Sequence, residues 1–275
     1  ATRNSQLGTR NSELATKFMS ENSEIYELID SGYGRKLERF GAYLLDRPCA
    51  QAVWQPLLSQ KDWSKADAFF TREGDINWSF RKQVPETWQC RIEGIDFLLS
   101  LTNFGHTGVF PEHSLAWRKL GKFCNERTEQ LNVLNLFAYT GGATLALAKA
   151  GCKVCHLDAS AKTVEWARKN AAINNLENAE IRWIVDDVQK FLRREIRRKR
   201  FYDGIILDPP SFGRGKRQEL FQIDNHLRDL LQLCKQLLSK NASFVFLSSH
   251  TAGYTPTVLT NLLQQNLLEG SFEAG

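Results

Sequence analysis

The C-terminal half of the chain alternates short apolar runs with longer segments of helical periodicity, a pattern that predicts a parallel sheet flanked by helices. Strands are expected at Asn132 to Leu136, Lys153 to Leu157, Ile181 to Val185, Gly204 to Leu207 and Ser243 to Leu247, giving five βα units. Ser160 is placed to cap a helix carrying Val164, Ala167 and Ala171. Leu220, Ile223, Leu227, Leu230, Cys234 and Leu237 recur at helical spacing, which predicts a helix from about Lys216 to Ser239. Residues 24–104 read differently. Trp54, Trp63, Trp78 and Trp88 stand among short apolar runs broken by Gly and Pro, as in a small β-rich or mixed region. The expected organisation is a loose polar arm over residues 1–23, this N-terminal region, and an α/β domain over residues 105–275. Internal repeats and low-complexity segments are not found.

A chain of 275 residues with 42% apolar content can bury the core of one domain plus an appendage. Its apolar stretches fall short of the roughly 20 residues of a membrane span, and residues 1–22 are too polar for a signal peptide. A soluble, cytoplasmic protein without a membrane partner is therefore expected. The chain begins with Ala1 rather than Met, so its start is read as a processed or cut end. The six cysteines, Cys49, Cys90, Cys124, Cys152, Cys155 and Cys234, lack the paired spacing of a zinc site or disulfide framework. Cys152 and Cys155 form a CxxC, but within a strand-like run rather than at a helix start, so ordinary apolar packing is the simpler account. No metal is called for. The oligomeric state is left open.

The net charge of +5 is unevenly spread. Lys190, Arg193, Arg194, Arg197, Arg198, Lys199 and Arg200 face one acid, Glu195, in the same stretch. A solvated helix face and a phosphate-backbone contact both account for this pattern. Arg214 and Lys216 follow a later acidic turn and tilt the balance towards nucleic acid, with Arg193, Arg194, Arg197 and Arg198 as the candidate RNA contacts.

The first strand ends in Phe137-Ala138-Tyr139-Thr140-Gly141-Gly142, a glycine turn that opens a helix. Neither G-x-G-x-x-G nor G-x-x-x-x-G-K-[ST] is present, so the turn is not built for a phosphate. S-adenosylmethionine needs something else: close backbone approach beside its sulfonium and methionine moiety, helix-start amides or nearby cations for its carboxylate, and an acceptor for its ribose diol. Residues Ala138, Tyr139, Thr140, Gly141 and Gly142 fit the first need. Asp158, with Ala159 beside it, ends the second strand roughly one βαβ step later and fits the diol. Asp186 and Asp187 end the third strand, and Asp187 is favoured to accept from the adenine amino group.

Asp208-Pro209-Pro210-Ser211-Phe212 ends the fourth strand. Consecutive prolines fix the backbone and remove amide donors, so the turn presents carbonyls and the Asp208 carboxylate to a planar amine or ring edge. Phe212 is suited to stacking on a flipped base. Asp208, Pro209, Pro210 and Phe212 are the catalytic candidates, with Asp208 also beside the cofactor.

LNLFAYTGG, the strand-end Asp158, VDDV at 185–188 and LDPPSFGRGK at 207–216 together resemble the class I S-adenosylmethionine-dependent methyltransferases that modify bacterial large-subunit ribosomal RNA, a group of cytosine-C5 and guanine-N7 enzymes. The resemblance runs from about Gly105 to Thr251. It implies a Rossmann-like sheet, S-adenosylmethionine as cofactor and RNA, of ribosomal origin, as partner. Gly105 to His113 resembles the element that helps close the cofactor site in that group, which implies roles there for Thr107, Phe110 and Glu112. His106 and His113 stand where the group carries Lys and Arg.

Two departures bear on the reaction. Cytosine-C5 enzymes of the group attack through a cysteine after the fifth strand, where this chain reads Leu247-Ser248-Ser249-His250. A serine lacks a readily formed thiolate, so a nitrogen or hydroxyl acceptor is expected over C5, with nitrogen favoured. His250 reads as a proton acceptor or an ordinary loop histidine. The group also carries antiparallel strands beyond the fifth helix that are not evident before Gly275, so either the sequence is a fragment or its sheet edge is finished differently. Readings of other classes are a methyltransferase of a protein or small molecule, and a catalytically silent RNA-binding assembly factor.

Overall fold

The computed structural model describes residues 25–72, 77–214, 220–267 and 270–274. The expected arm over residues 1–23 lies outside the described residues, as does Lys216. Two compact units divide the chain between Pro111 and Glu112.

In the first unit β1 (Tyr26–Gly32), β2 (Arg35–Phe40), β3 (Tyr43–Pro48), β4 (Ala68–Thr71) and β5 (Asn77–Phe80) form one sheet in that order. All its pairings are antiparallel except β3 with β4. Helix α1 (Gln60–Trp63) fills part of the crossover between those two strands, started by a Ser59–Asp62 capping box. Tyr33 and Gly34 join β1 to β2 at φ of +51° and +74°, the left-handed pair that a two-residue hairpin requires. Each tryptophan read as a β-region marker finds a partner for its indole N–H. Trp54 donates to Ser31 O, Trp63 to Asp30 Oδ2, Trp78 to Thr102 O and Trp88 to Phe40 O. Trp63, Trp78 and Trp88 thereby bury their rings without stranding a donor, whereas Trp54 stays exposed. A separate hairpin, β6 (Trp88–Ile92) with β7 (Ile95–Leu99), completes this unit's strands among the described residues.

The second unit is α/β. Its sheet runs β10 (Ile181–Val185), β9 (Lys153–Asp158), β8 (Asn132–Leu136), β11 (Gly204–Leu207) and β14 (Phe244–Leu247), all parallel. The chain reverses its direction of sheet growth between β8 and β11, where a doubly wound sheet opens a crevice at its carboxyl ends. The helices are α2 (Ser114–Asn125), α3 (Gly142–Lys149), α4 (Ala161–Ile173), α5 (Val188–Arg197), α6 (Ile223–Lys235) and α7 (Pro256–Leu267). Four residues of β8 and all four of β11 are buried, as central strands covered on both faces must be. On one face Leu134, Leu136, Ile205 and Leu207 meet Phe191 and Leu192 of α5 and Leu227, Leu230 and Leu231 of α6, while Val133 and Ile206 join a second cluster with Leu147 of α3.

One expected element differs. The helix predicted from Lys216 starts at Ile223, because Leu220 to Gln222 form a strand, β13, paired with β12 (Phe212–Arg214). Phe221 packs against Phe137 at 5.2 Å and stacks on His226 at 5.5 Å, contacts that an extended Phe221 reaches in this fold.

Candidate active site

Everything at the β8–β11 crevice follows from how four strands end. After β8 the chain turns through Phe137, Tyr139 and Gly141, all at left-handed φ (+55°, +50° and +98°). Two of these carry side chains, so the turn is strained and needs external support. Support comes from Ala138 N donating to Leu157 O at 3.0 Å, Tyr139 N to Asp158 Oδ2 at 3.0 Å and Asn170 Nδ2 to Thr140 O at 3.0 Å. Gly141 is the N-cap of α3 and offers no side chain to its first amides. Gly142 has a packing reason instead: a Cβ there would lie 2.3 Å from Trp117 Cζ2.

Asp158 closes β9. Its Oδ1 accepts from Ser160 N at 2.9 Å while Oδ2 holds Tyr139 N, so the carboxylate ties the second strand end to the glycine turn. Burial raises its pKa above the ordinary carboxylate range, partly offset by the amides of Ser160, Tyr139 and Ala159. With the amides of Tyr139, Ser160 and Ala159 on its two oxygens, the carboxylate still has lone-pair capacity for one further donor. The uncapped amides opening α3 and this remaining acceptor capacity match the carboxylate and ribose diol of S-adenosylmethionine.

Beyond β10, Asp186 pairs with Arg194 and accepts Asp187 N at 2.9 Å. Asp187, favoured from sequence as an adenine contact, is the N-cap of α5, its Oδ1 accepting from Lys190 N at 2.9 Å.

After β11 stands Asp208. Ser248 Oγ, from the end of β14, donates to its Oδ1 at 2.6 Å, and His113 Nε2 lies 3.2 Å from its Oδ2. Burial alone would raise the Asp208 pKa, but His113 and Ser248 outweigh it and hold the carboxyl below its usual range. Burial likewise disfavours charge on His113, yet Asp208, with Glu112 adding to it, raises its pKa. Ser211 Oγ and Thr251 Oγ1 share a hydrogen bond of 2.7 Å, tying the proline turn to the loop after β14. Pro209 is buried, Pro210 half-buried, and Phe212 is 51% exposed at the start of β12.

Sequence reasoning placed Asp208 but not its partners. His113 was singled out only as a departure from Arg and Ser248 only as a missing cysteine. Both positions were visible as anomalies at motif sites, which was the available signal. Thr107 and Phe110 belong to the first unit, where Thr107 is buried and Phe110 meets His106 edge-on at 5.1 Å. Glu112 is exposed at the start of the second unit. In α5, Arg193 and Arg197 are exposed, Arg194 pairs with Asp186, and Arg198 with the fully buried Glu195. Arg214 ends β12.

Residues 65–257 match the S-adenosylmethionine-dependent methyltransferase family. The chain is 36% identical over 155 residues to the ribosomal RNA large subunit methyltransferase K/L of Shewanella oneidensis. That alignment covers 56% of this chain and only 21% of the relative, so the chain spans about a fifth of the length of that protein. A SAM-dependent methyltransferase from Agrobacterium tumefaciens superposes with a TM-score of 0.84 at 42% identity, covering 88% of this chain and 78% of that one. A chain assigned as a methyltransferase and solved complexed with SAH shares the fold, with a TM-score of 0.77 at 20% identity over 98% of this chain and 72% of that one. With its doubly wound sheet and the residues gathered at the switch point, the chain belongs to the family of S-adenosylmethionine-dependent methyltransferases.

Proposed function

We propose that the protein methylates a nucleobase nitrogen in RNA, of ribosomal origin, in the cytoplasm. The observation that carries this reading is the Asp208 carboxylate, held ionised by His113 and Ser248 at the end of β11 and followed by two prolines. Asp208 and the Pro209 carbonyl accept hydrogen bonds from the acceptor base and align its nitrogen; neither Pro209 nor Pro210 has an N–H to compete for the same edge. Phe212, half-exposed beside them, stacks on the flipped ring. Asp158, the Ala138 to Gly142 turn and the first amides of α3 hold the cofactor, with Ala159, Asp186 and Asp187 along its adenosine side. When bound, S-adenosylmethionine supplies a sulfonium methyl whose S–C bond breaks as the nitrogen lone pair forms the new N–C bond.

Nitrogen is preferred to C5 because Leu247 to His250, the stretch after the fifth strand, carries no cysteine to form a thiolate nucleophile, and the Ser248 hydroxyl there donates a hydrogen bond to Asp208. The cysteines of the second unit, Cys124, Cys152, Cys155 and Cys234, are all buried. RNA as substrate is supported by the relatives named as ribosomal RNA methyltransferases and by the exposed arginines of α5.

The test is transfer of labelled methyl groups to ribosomal RNA stripped of modification, with Asp208→Asn beside the native chain. Label recovered in a methylated nitrogen of a base, lost in the variant, is the expected result. Label in protein or a small molecule would replace RNA as the substrate, and uptake of cofactor with no transfer to any acceptor would point to an assembly role.

A further inference from the structure

A cleft of about 570 Å³ opens on the first unit, well inside the roughly 300–1,000 Å³ of ligand pockets. Its floor includes the buried Trp63 and the half-buried Phe69. On its rim stand two flat groups. Tyr33, at the β1–β2 turn, is 65% exposed, and the Arg81 guanidinium lies 4.5 Å over the Phe69 ring. Arg35, also in the lining, is fixed by donating from Nε to Asp46 Oδ1 at 2.7 Å and from Nη2 to Phe70 O at 2.9 Å. Asp46 Oδ2 accepts no hydrogen bond among the described residues, although the side chain is 13% exposed and lines the cleft. Planar stacking groups, net positive charge and one carboxylate acceptor are the means by which proteins hold an unpaired base of RNA.

We infer that this cleft binds a guanine nucleotide, taken from single-stranded RNA, its ring against Tyr33 and Arg81 and its N1–H and N2–H donors directed at Asp46. Guanine alone combines a purine's stacking area with two adjacent N–H donors on one edge. Adenine offers a donor beside an acceptor there, which would set a lone pair against the carboxylate. The inference rests on the reading that RNA is the substrate and assigns the first unit a part in holding it.

The test is equilibrium dialysis of the full chain with labelled GMP and AMP, and with the hexanucleotides UUGUUU and UUAUUU. Saturating S-adenosylhomocysteine is present throughout, so that the adenosine site is filled. GMP and UUGUUU are expected to bind about tenfold or more tightly than AMP and UUAUUU, since an unmatched buried acceptor discriminates at that level. Asp46→Asn is expected to erase the preference. Because that change also touches Arg35, Tyr33→Gly is the second variant; it removes an exposed ring at a φ that suits glycine, and should weaken GMP and UUGUUU about fivefold with the fold intact. Equal binding of the guanine and adenine ligands, or guanine binding unmoved in Tyr33→Gly, overturns the site. Binding of GMP without UUGUUU overturns RNA as the source. Dialysis reads no methyl transfer, so activity retained in Asp208→Asn, with guanine binding intact, would count against the catalytic reading alone.

Discussion

His113 Nε2 lies 3.2 Å from Asp208 Oδ2, joining the start of α2 to the end of β11 across the mouth of the sheet. The two groups shift one another's pKa in opposite directions, His113 up and Asp208 down. A raised histidine stabilises the fold fully below its unfolded pKa of roughly 6.5 and loses that contribution as pH rises through the folded value. A depressed aspartate stabilises above its unfolded pKa of roughly 3.9 and loses that contribution as pH falls through the folded value. The pair therefore contributes most between about pH 4 and 6.5. His113→Gln should lower unfolding free energy by about 1–2 kcal/mol at pH 6, with the gap closing towards pH 9. Urea titrations across that range check it; a gap independent of pH would mean that the imidazolium form is not what holds Asp208.

Asp158 has two tasks that a substitution separates only in part. Its oxygens hold Tyr139 N and Ser160 N, and their remaining lone pairs are assigned to the cofactor ribose. Asp158→Ala should weaken S-adenosylmethionine binding about tenfold or more and lower stability by about 1–3 kcal/mol, because two amides lose their acceptor. Calorimetry at a temperature where circular dichroism shows the variant folded reads the first effect alone. The native chain should also lose affinity as pH falls through the raised Asp158 pKa, earlier than an exposed aspartate would allow. Unaltered affinity in the variant would remove Asp158 from the cofactor site.

The five parallel strands stand within one residue of where the apolar runs placed them, because burial on both faces leaves continuous Val, Ile and Leu in the sequence. The hairpin Phe212–Arg214 with Leu220–Gln222 was not legible: Leu220 fits the helical stripe of α6 equally well, and only pairing across a loop and the contact of Phe221 with Phe137 decide otherwise. Asp158, Asp187 and Asp208 were legible as strand-end acids. What each touches was not, since Asp158 answers to a turn on another strand and Asp208 to His113 and Ser248 from two other elements. Gly142 was read as a residue for cofactor approach, and its packing against Trp117 needed the fold to be seen.

Glu195 explains why a helix so rich in arginine still folds onto a core. It is fully buried, and accepts from Arg182 at 2.8 Å, Tyr202 Oη at 2.7 Å and Arg198 at 3.2 Å, with Arg200 at 3.6 Å. The arginine partners are partly exposed and can return to water, and only the buried Tyr202 hydroxyl is left without its acceptor, so the cost of removing the acid should fall at the lower end of the range for a broken buried pair. Glu195→Ala is expected to cost about 3 kcal/mol, read as a lower urea midpoint. A loss under about 1 kcal/mol would show that the cluster is held chiefly by the apolar stems around it.

That same cluster divides the arginines of α5. Arg194 and Arg198 already neutralise Asp186 and Glu195, so their charge is partly committed within the protein, whereas Arg193 and Arg197 are exposed. If the helix contacts RNA phosphates, Arg193→Gln with Arg197→Gln should weaken RNA binding and flatten its salt dependence by about 0.7–0.9 in log–log slope per lost contact. Arg194→Gln with Arg198→Gln should act mainly on stability, through the acids left unpaired. Filter binding over a series of salt concentrations separates the two outcomes. An unchanged affinity and slope in the Arg193, Arg197 double variant would make α5 a solvated face, and the RNA contact would have to lie elsewhere on the chain.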